Sequence, residues 1–135
     1  MNAKTFDEVA SKIKGIKFVE KFDLIVAIAN GGIIPAAMIN QILGIEIQLL
    51  KLSFRDDNQQ MLYDSPLLIE DICFEYANKT ILLVEDRVKT GATINLAYKL
   101  LSPKAKLVKT FTINGIADYS TYNETCFMFP WLVNI

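Results

Sequence analysis

Apolar residues fall into short runs, and each run ends in a polar or glycine-bearing turn. Asp23 to Ala29 is continuously apolar after its first residue and has the length of a strand. Glu46 to Leu52 alternates at first and then becomes apolar at Leu49, Leu50 and Leu52. Ile81 to Val84 is apolar throughout, and Lys106 to Asn114 reads as a further strand. Between these runs the period changes. Phe6, Val9, Ala10 and Ile13 form a helical stripe behind Thr5-Phe-Asp-Glu8, a capping box, and Gly15 suits its end. Ile33-Ile34-Pro35 opens a second helix that should run to about Leu43 before Gly44. Ile94, Ala97, Leu100 and Leu101 mark a third. Leu67 to Phe74 suggests an edge strand or short hairpin, and Thr125 to Phe129 a last short strand after the polar stretch Asp118 to Glu124. Continuous apolar strands alternating with helices predict an α/β fold, a mainly parallel sheet flanked by helices. Neither a repeat nor a linker divides the chain, so one domain over residues 1–135 is expected.

The ends of two strands carry the chemistry. Ligands in such sheets sit beyond the carboxyl ends of the strands. The run Ile81 to Val84 ends on Glu85-Asp86, and the turn Lys89-Thr90-Gly91-Ala92-Thr93 leads into a helix. Gly91 permits positive φ and close approach of a ligand. Thr90 and Thr93 offer hydroxyls, and Thr93 suits the N-cap of the helix. A helix start presents free N–H groups and the positive end of the dipole, an anion site. Two carboxylates repel a phosphate, but accept hydrogen bonds from sugar hydroxyls or face a divalent cation. Together these features point to a sugar phosphate with Mg²⁺. Asn30-Gly31-Gly32, after the strand ending at Ala29, forms a second close-approach loop on the same edge.

Composition narrows the classes. Hydrophobic residues make up 52% of the 135, enough for a core. A net charge of −1 with no long basic run argues against binding a nucleic-acid polymer. No apolar run reaches membrane-spanning length, and no signal-peptide order is visible at the start. Cys73 and Cys126 fit reduced thiols, and hence a cytoplasmic location. The chain has no histidine, which excludes Ser-His-Asp and Cys-His catalysis within it and leaves carboxylates with a hard cation.

Val84-Glu-Asp-Arg-Val-Lys-Thr-Gly-Ala-Thr93 resembles the phosphoribosyl-pyrophosphate binding motif of the type I phosphoribosyltransferases. The likeness extends from about Asp23 to Trp131. Ser53-Phe-Arg-Asp-Asp-Asn-Gln59 is similar in particular to the bacterial xanthine-guanine group. The resemblance implies transfer of ribose 5-phosphate from phosphoribosyl pyrophosphate to a nitrogen acceptor such as a nucleobase, with release of pyrophosphate. It implies Glu85 and Asp86 on the ribose hydroxyls, with Asp86 reaching Mg²⁺. It implies Val88, Lys89, Thr90, Gly91, Ala92 and Thr93 around the 5-phosphate, and Asn30, Gly31 and Gly32 on the pyrophosphate. A mobile hood loop carrying Arg55, Asp56 and Asp57 would close over the substrates; Arg55 suits a phosphate contact or a plain surface charge. Ile113, Asn114 and Phe127 fall where the family has its base pocket, though Phe127 also suits the core. A homodimer is implied as well.

Lys89 departs from the pattern, standing where purine members carry the Asp that acts on the base. Lys89 is counted among the catalytic positions for that reason, facing a phosphate or solvent. General acid–base help is worth about 10²–10⁴-fold, so its loss leaves binding more intact than rate. A non-catalytic phosphoribosyl-pyrophosphate or nucleotide sensor on the same fold is the alternative.

Overall fold

In a computed structural model, the structure describes residues 2–53, 67–68 and 71–132. The chain folds into six strands and three helices: α1 (Phe6–Lys14), β1 (Leu24–Ala29), α2 (Ile33–Leu43), β2 (Glu46–Ser53), β3 (Leu67–Leu68), β4 (Thr80–Arg87), α3 (Ala92–Leu101), β5 (Leu107–Asn114) and β6 (Tyr119–Tyr122). They form one sheet in the order β3-β2-β1-β4-β5-β6. Five strands run parallel, and the two-residue β3 pairs antiparallel with the end of β2. The parallel α/β sheet and its flanking helices agree with the apolar pattern. The predicted hood loop, with Arg55, Asp56 and Asp57, lies outside the described residues.

The continuous strands are continuous because both faces are covered. All six residues of β1 are buried, as are the first five of β4. Ile25, Ala27, Leu82, Val84, Phe111 and Ile113 face one core, which Val9 and Ile13 of α1 and Ala36 and Ile39 of α2 complete. Leu24, Val26, Ile28, Ile81, Leu83 and Val108 face the other, under Ile94, Ala97 and Leu101 of α3. Strand alternation thus assigns odd and even positions of β4 to opposite layers.

The capping box forms at α1: Glu8 N–H donates to Thr5 Oγ1 at 3.1 Å, and Thr5 N–H to the Glu8 carboxylate at 3.2 Å. At the other end of α2, Asn40 Oδ1 accepts from Ile45 N–H at 2.8 Å and steers the chain into β2.

The carboxyl end of the chain departs from expectation. The sixth strand is Tyr119–Tyr122, inside the stretch that reads as polar, and no ladder forms over Thr125–Phe129. Side-chain hydroxyls explain the first point: Thr121 Oγ1 donates to Ile113 O at 2.6 Å and Ser120 Oγ to Gly115 O at 2.7 Å, so polar side chains close against the neighbouring strand. Phe127 and Phe129 are apolar because they enter the core, while the backbone between them meets the amino-terminal segment. Met128 N–H donates to Asn2 O at 2.7 Å and Lys4 N–H to Met128 O at 3.1 Å.

Candidate functional site

The two loops expected to carry chemistry meet at the carboxyl ends of β1 and β4. After β1 the chain passes through a cis peptide at Ala29–Asn30 and turns through Gly31 and Gly32 into α2. A Cβ on Gly32 would stand 2.3 Å from the Val84 carbonyl oxygen, so only glycine lets this loop lie on the backbone of β4. A Cβ on Gly31 would stand 2.7 Å from an Asp86 carboxylate oxygen. Asn30 is exposed beside them. The glycine loop is therefore folded directly over the acidic end of β4.

Glu85 and Asp86 are both half-buried. As successive strand residues they leave β4 toward opposite layers, Asp86 on the α2 side beneath Gly31 and Glu85 on the α3 side. Burial pushes the Glu85 carboxyl up to about 8, and the neighbouring charge of Asp86 pushes it the same way. Burial also raises Asp86, against the opposing pull of the Arg87 guanidinium and of backbone N–H donors at Asp86 and Arg87. Partial desolvation of each carboxylate favours a cation beside it.

The second loop follows β4. Val88 N–H donates to Asn114 O at 2.9 Å, which fixes the loop to the end of β5. Lys89 and Thr90 are exposed. Gly91 has φ 84° and is the N-cap of α3, a left-handed position that disfavours a side chain. Thr93, expected as the N-cap, instead lies one residue inside the helix, because the helix begins at Ala92. The hydroxyl contact comes from Thr90, whose Oγ1 accepts from Ala92 N–H at 3.2 Å.

Asp86 and Glu85 suit Mg²⁺ by donor type, since the ion prefers oxygen ligands and takes one or two carboxylates together with substrate phosphates. No group of three or more His, Cys, Asp or Glu side chains is gathered for a metal among the described residues. The fit is thus to an ion shared with a phosphorylated ligand rather than to a protein cage. Gly31 lies close against the Asp86 carboxylate, where any side chain would meet it.

The expected base pocket needs correction at two of its three residues. Ile113 is 0% exposed and Phe127 1% exposed, both packed in the core with Phe129 and Tyr122. Neither presents a surface to a ligand. Asn114 does border a cleft, but its amide is committed: Oδ1 accepts from Glu124 N–H at 3.0 Å and Nδ2 donates to Glu124 O at 3.2 Å. The cleft, of about 300 Å³, lies beyond the ends of β4 and β5 and is lined by Arg87, Val88, Lys89, Asn114, Gly115, Asn123, Glu124 and Cys126. Arg87, Asn123 and Glu124 were not singled out from sequence, and Cys126 only as a reduced thiol. The available signal was a cation inside the acidic motif, two positions from Glu85. Glu124 pairs with Lys4 at 3.0 Å, and Lys4 also lies over the Tyr122 ring at 4.7 Å.

Comparison with known proteins agrees with this arrangement. Residues 2–114 match the phosphoribosyl transferase domain. A xanthine-guanine phosphoribosyltransferase of Idiomarina loihiensis is 28% identical over 119 residues, covering 83% of this chain and 72% of that protein. A purine phosphoribosyltransferase from Pyrococcus horikoshii superposes with a TM-score of 0.82 at 24% identity, covering 99% of this chain and 95% of that one. A Neisseria gonorrhoeae protein with bound ppGpp gives 0.76 at 21% identity, over 96% of this chain and 89% of that one. A glycine loop folded over an acidic strand end, a Thr-Gly helix start, and a family match over most of the length lead to one conclusion: the chain belongs to the type I phosphoribosyltransferase family.

Proposed function

We propose that the protein transfers ribose 5-phosphate from phosphoribosyl pyrophosphate to a nitrogen acceptor of the nucleobase class, releasing pyrophosphate. One observation carries this reading: Gly31 lies against the Asp86 carboxylate while Gly32 seats the same loop on Val84, so the glycine loop and the acidic strand end form one site. Glu85 and Asp86 accept hydrogen bonds from the ribose hydroxyls, and a pentose that meets both sits across the end of β4. Asn30, Gly31 and Gly32 hold the pyrophosphate. Val88 to Thr93 wrap the 5-phosphate, with the amides at the start of α3 directed at the anion. Asp86 holds Mg²⁺, which when bound neutralises charge on the departing pyrophosphate. As positive charge grows on the sugar ring, Asp86 and, once ionised, Glu85 stabilise it, so catalysis is positioning plus electrostatics. Lys89 supplies charge rather than a base.

Labelled phosphoribosyl pyrophosphate with Mg²⁺ and a panel of nitrogen heterocycles tests the reading. Pyrophosphate release with at least one acceptor is expected; none with any acceptor overturns it. The second reading is a nucleotide or phosphoribosyl-pyrophosphate sensor. Lys89 in the position of a base and the ppGpp held by the Neisseria neighbour favour it. A sensor binds the donor in calorimetry and leaves it intact.

We further place the protein in the cytoplasm, where the exposed thiols of Cys73 and Cys126 stay reduced. No helix among the described residues is long and apolar enough to cross a membrane. A homodimer is proposed on the exposed apolar residues Ile33, Ile34 and Ile42 of α2 and Leu49 of β2.

A further inference from the structure

The segment that carries Glu85 and Asp86 is held from both sides. On the β1 side, Gly32 lies on the Val84 carbonyl. On the β5 side the contact is made by Gly115, the first residue after β5. A Cβ on Gly115 would stand 2.5 Å from the Val88 carbonyl oxygen, 2.9 Å from Val88 Cβ and 3.1 Å from Val88 N. Side chains do not approach backbone so closely, so the two segments meet here only through glycine. Gly115 also has φ 138°, a conformation that a side chain disfavours. Val88 is the stem of the loop that continues through Lys89 and Thr90 to the left-handed Gly91 and α3.

Gly115 has little room to retreat. Its N–H donates to Tyr122 O at 2.9 Å. Ser120 Oγ lies 2.7 Å from both Gly115 O and Tyr122 O. Asn114, just before it, accepts from Val88 N–H at 2.9 Å through its carbonyl and grips the Glu124 backbone through its side-chain amide. Both backbone polar groups of Gly115 are thus fastened to β6, whereas beyond Val88 the loop is exposed at Lys89 and Thr90. A side chain at position 115 would therefore push Val88, and the shift would pass along the chain to the turn at Gly91. Misplacement by about 1 Å from a change remote from the chemistry can cost about 10²-fold.

Resting on the reading that Val88 to Thr93 wrap the 5-phosphate, we propose that Gly115 is a positioning residue for the donor: it seats the phosphate loop against β5 and β6 and so sets where the 5-phosphate binds. It acts through Val88. Gly32 seats the pyrophosphate loop on Val84 in the same way, so each phosphate-bearing end of the donor has its own glycine contact on the backbone of residues 84–88.

The test uses the whole chain and three variants. Calorimetry measures the Kd of phosphoribosyl pyrophosphate and of pyrophosphate, each with Mg²⁺, and a thermal melt accompanies each protein. Gly115→Ala should raise the Kd of phosphoribosyl pyrophosphate about tenfold or more and leave that of pyrophosphate within about twofold. Gly44→Ala is the control. Gly44 ends α2 with φ 62°, at the opposite end of that helix from the glycine loop, and nothing lies within 4 Å of a Cβ there. It brings backbone strain without the contact, so Tm should fall while both dissociation constants hold. Ser120→Ala adds no atom and removes the hydroxyl beside Gly115 O. It should raise the Kd of phosphoribosyl pyrophosphate about threefold, again without moving that of pyrophosphate.

An unchanged Kd of phosphoribosyl pyrophosphate in Gly115→Ala overturns the inference. So does an equal loss for pyrophosphate, or the same loss in Gly44→Ala, since either assigns the effect to a general loosening of the fold. If Gly115→Ala does not fold, Ser120→Ala decides, and unchanged donor affinity there overturns the inference. All of these outcomes leave the transferase reading standing. Failure of the unaltered chain to bind either ligand overturns that reading itself.

Discussion

Glu85 sets the pH behaviour of the free protein. Its carboxyl titrates near 8 in the folded chain, against an ordinary value of 4.5. Between those values the folded state holds a proton that the unfolded chain has released. The contribution of this group to stability is therefore full below about pH 4.5 and is lost as pH rises through about 8. Thermal melts from about pH 5 to 9 should show this decline, and Glu85→Gln should remove about 1–2 kcal/mol of it, allowing for partial solvent access. Gly32 offers a sharper test. A side chain there meets the Val84 carbonyl oxygen at 2.3 Å, and backbone does not yield as a flexible side chain does. Gly32→Ala should lower Tm by roughly 3–4 °C for each kcal/mol lost, with the loss on the order of 1–3 kcal/mol. Gly31→Ala meets only the Asp86 carboxylate and should damage donor affinity more than Tm.

Among the elements, the stretch from Thr80 to Thr93 was readable because strand, acidic pair, turn and helix follow without interruption. Burial on both faces makes β4 continuously apolar, and the left-handed N-cap requires Gly91. The capping box at Thr5 was readable for the same reason, since its signal is local. What sequence concealed was long-range. The strand β6 carries hydroxyls that bond to the carbonyls of Ile113 and Gly115, and the apolar Phe127 and Phe129 serve the core while the backbone of Met128 between them pairs with Asn2 and Lys4. The assignment of Ile113 and Phe127 to a base pocket failed because chemical type alone does not tell a stacking ring from a core ring. The cleft escaped notice because Arg87 and Glu124 meet only in three dimensions. Asn114 ties these elements together by clamping Glu124 through both its amide atoms. Asn114→Ala leaves two backbone groups without partners and should cost about 1–3 kcal/mol in denaturant unfolding, with a weaker grip on any acceptor.

At the level of the molecule, the parallel sheet places both loops at one edge while α2 turns Ile33, Ile34 and Ile42 outward. Light scattering should find twice the monomer mass of 15.2 kDa, and Ile42→Asp should shift the protein toward monomer if α2 lies in the contact. The bond between Lys4 and Glu124 has a different consequence. Lys4 braces a wall that stands 120 positions further along the sequence. A chain cut before residue 124 would keep both glycine loops and lose the wall that Lys4 braces. A purification tag joined ahead of Asn2 would start from the segment that Met128 grips, and so would sit beside that wall.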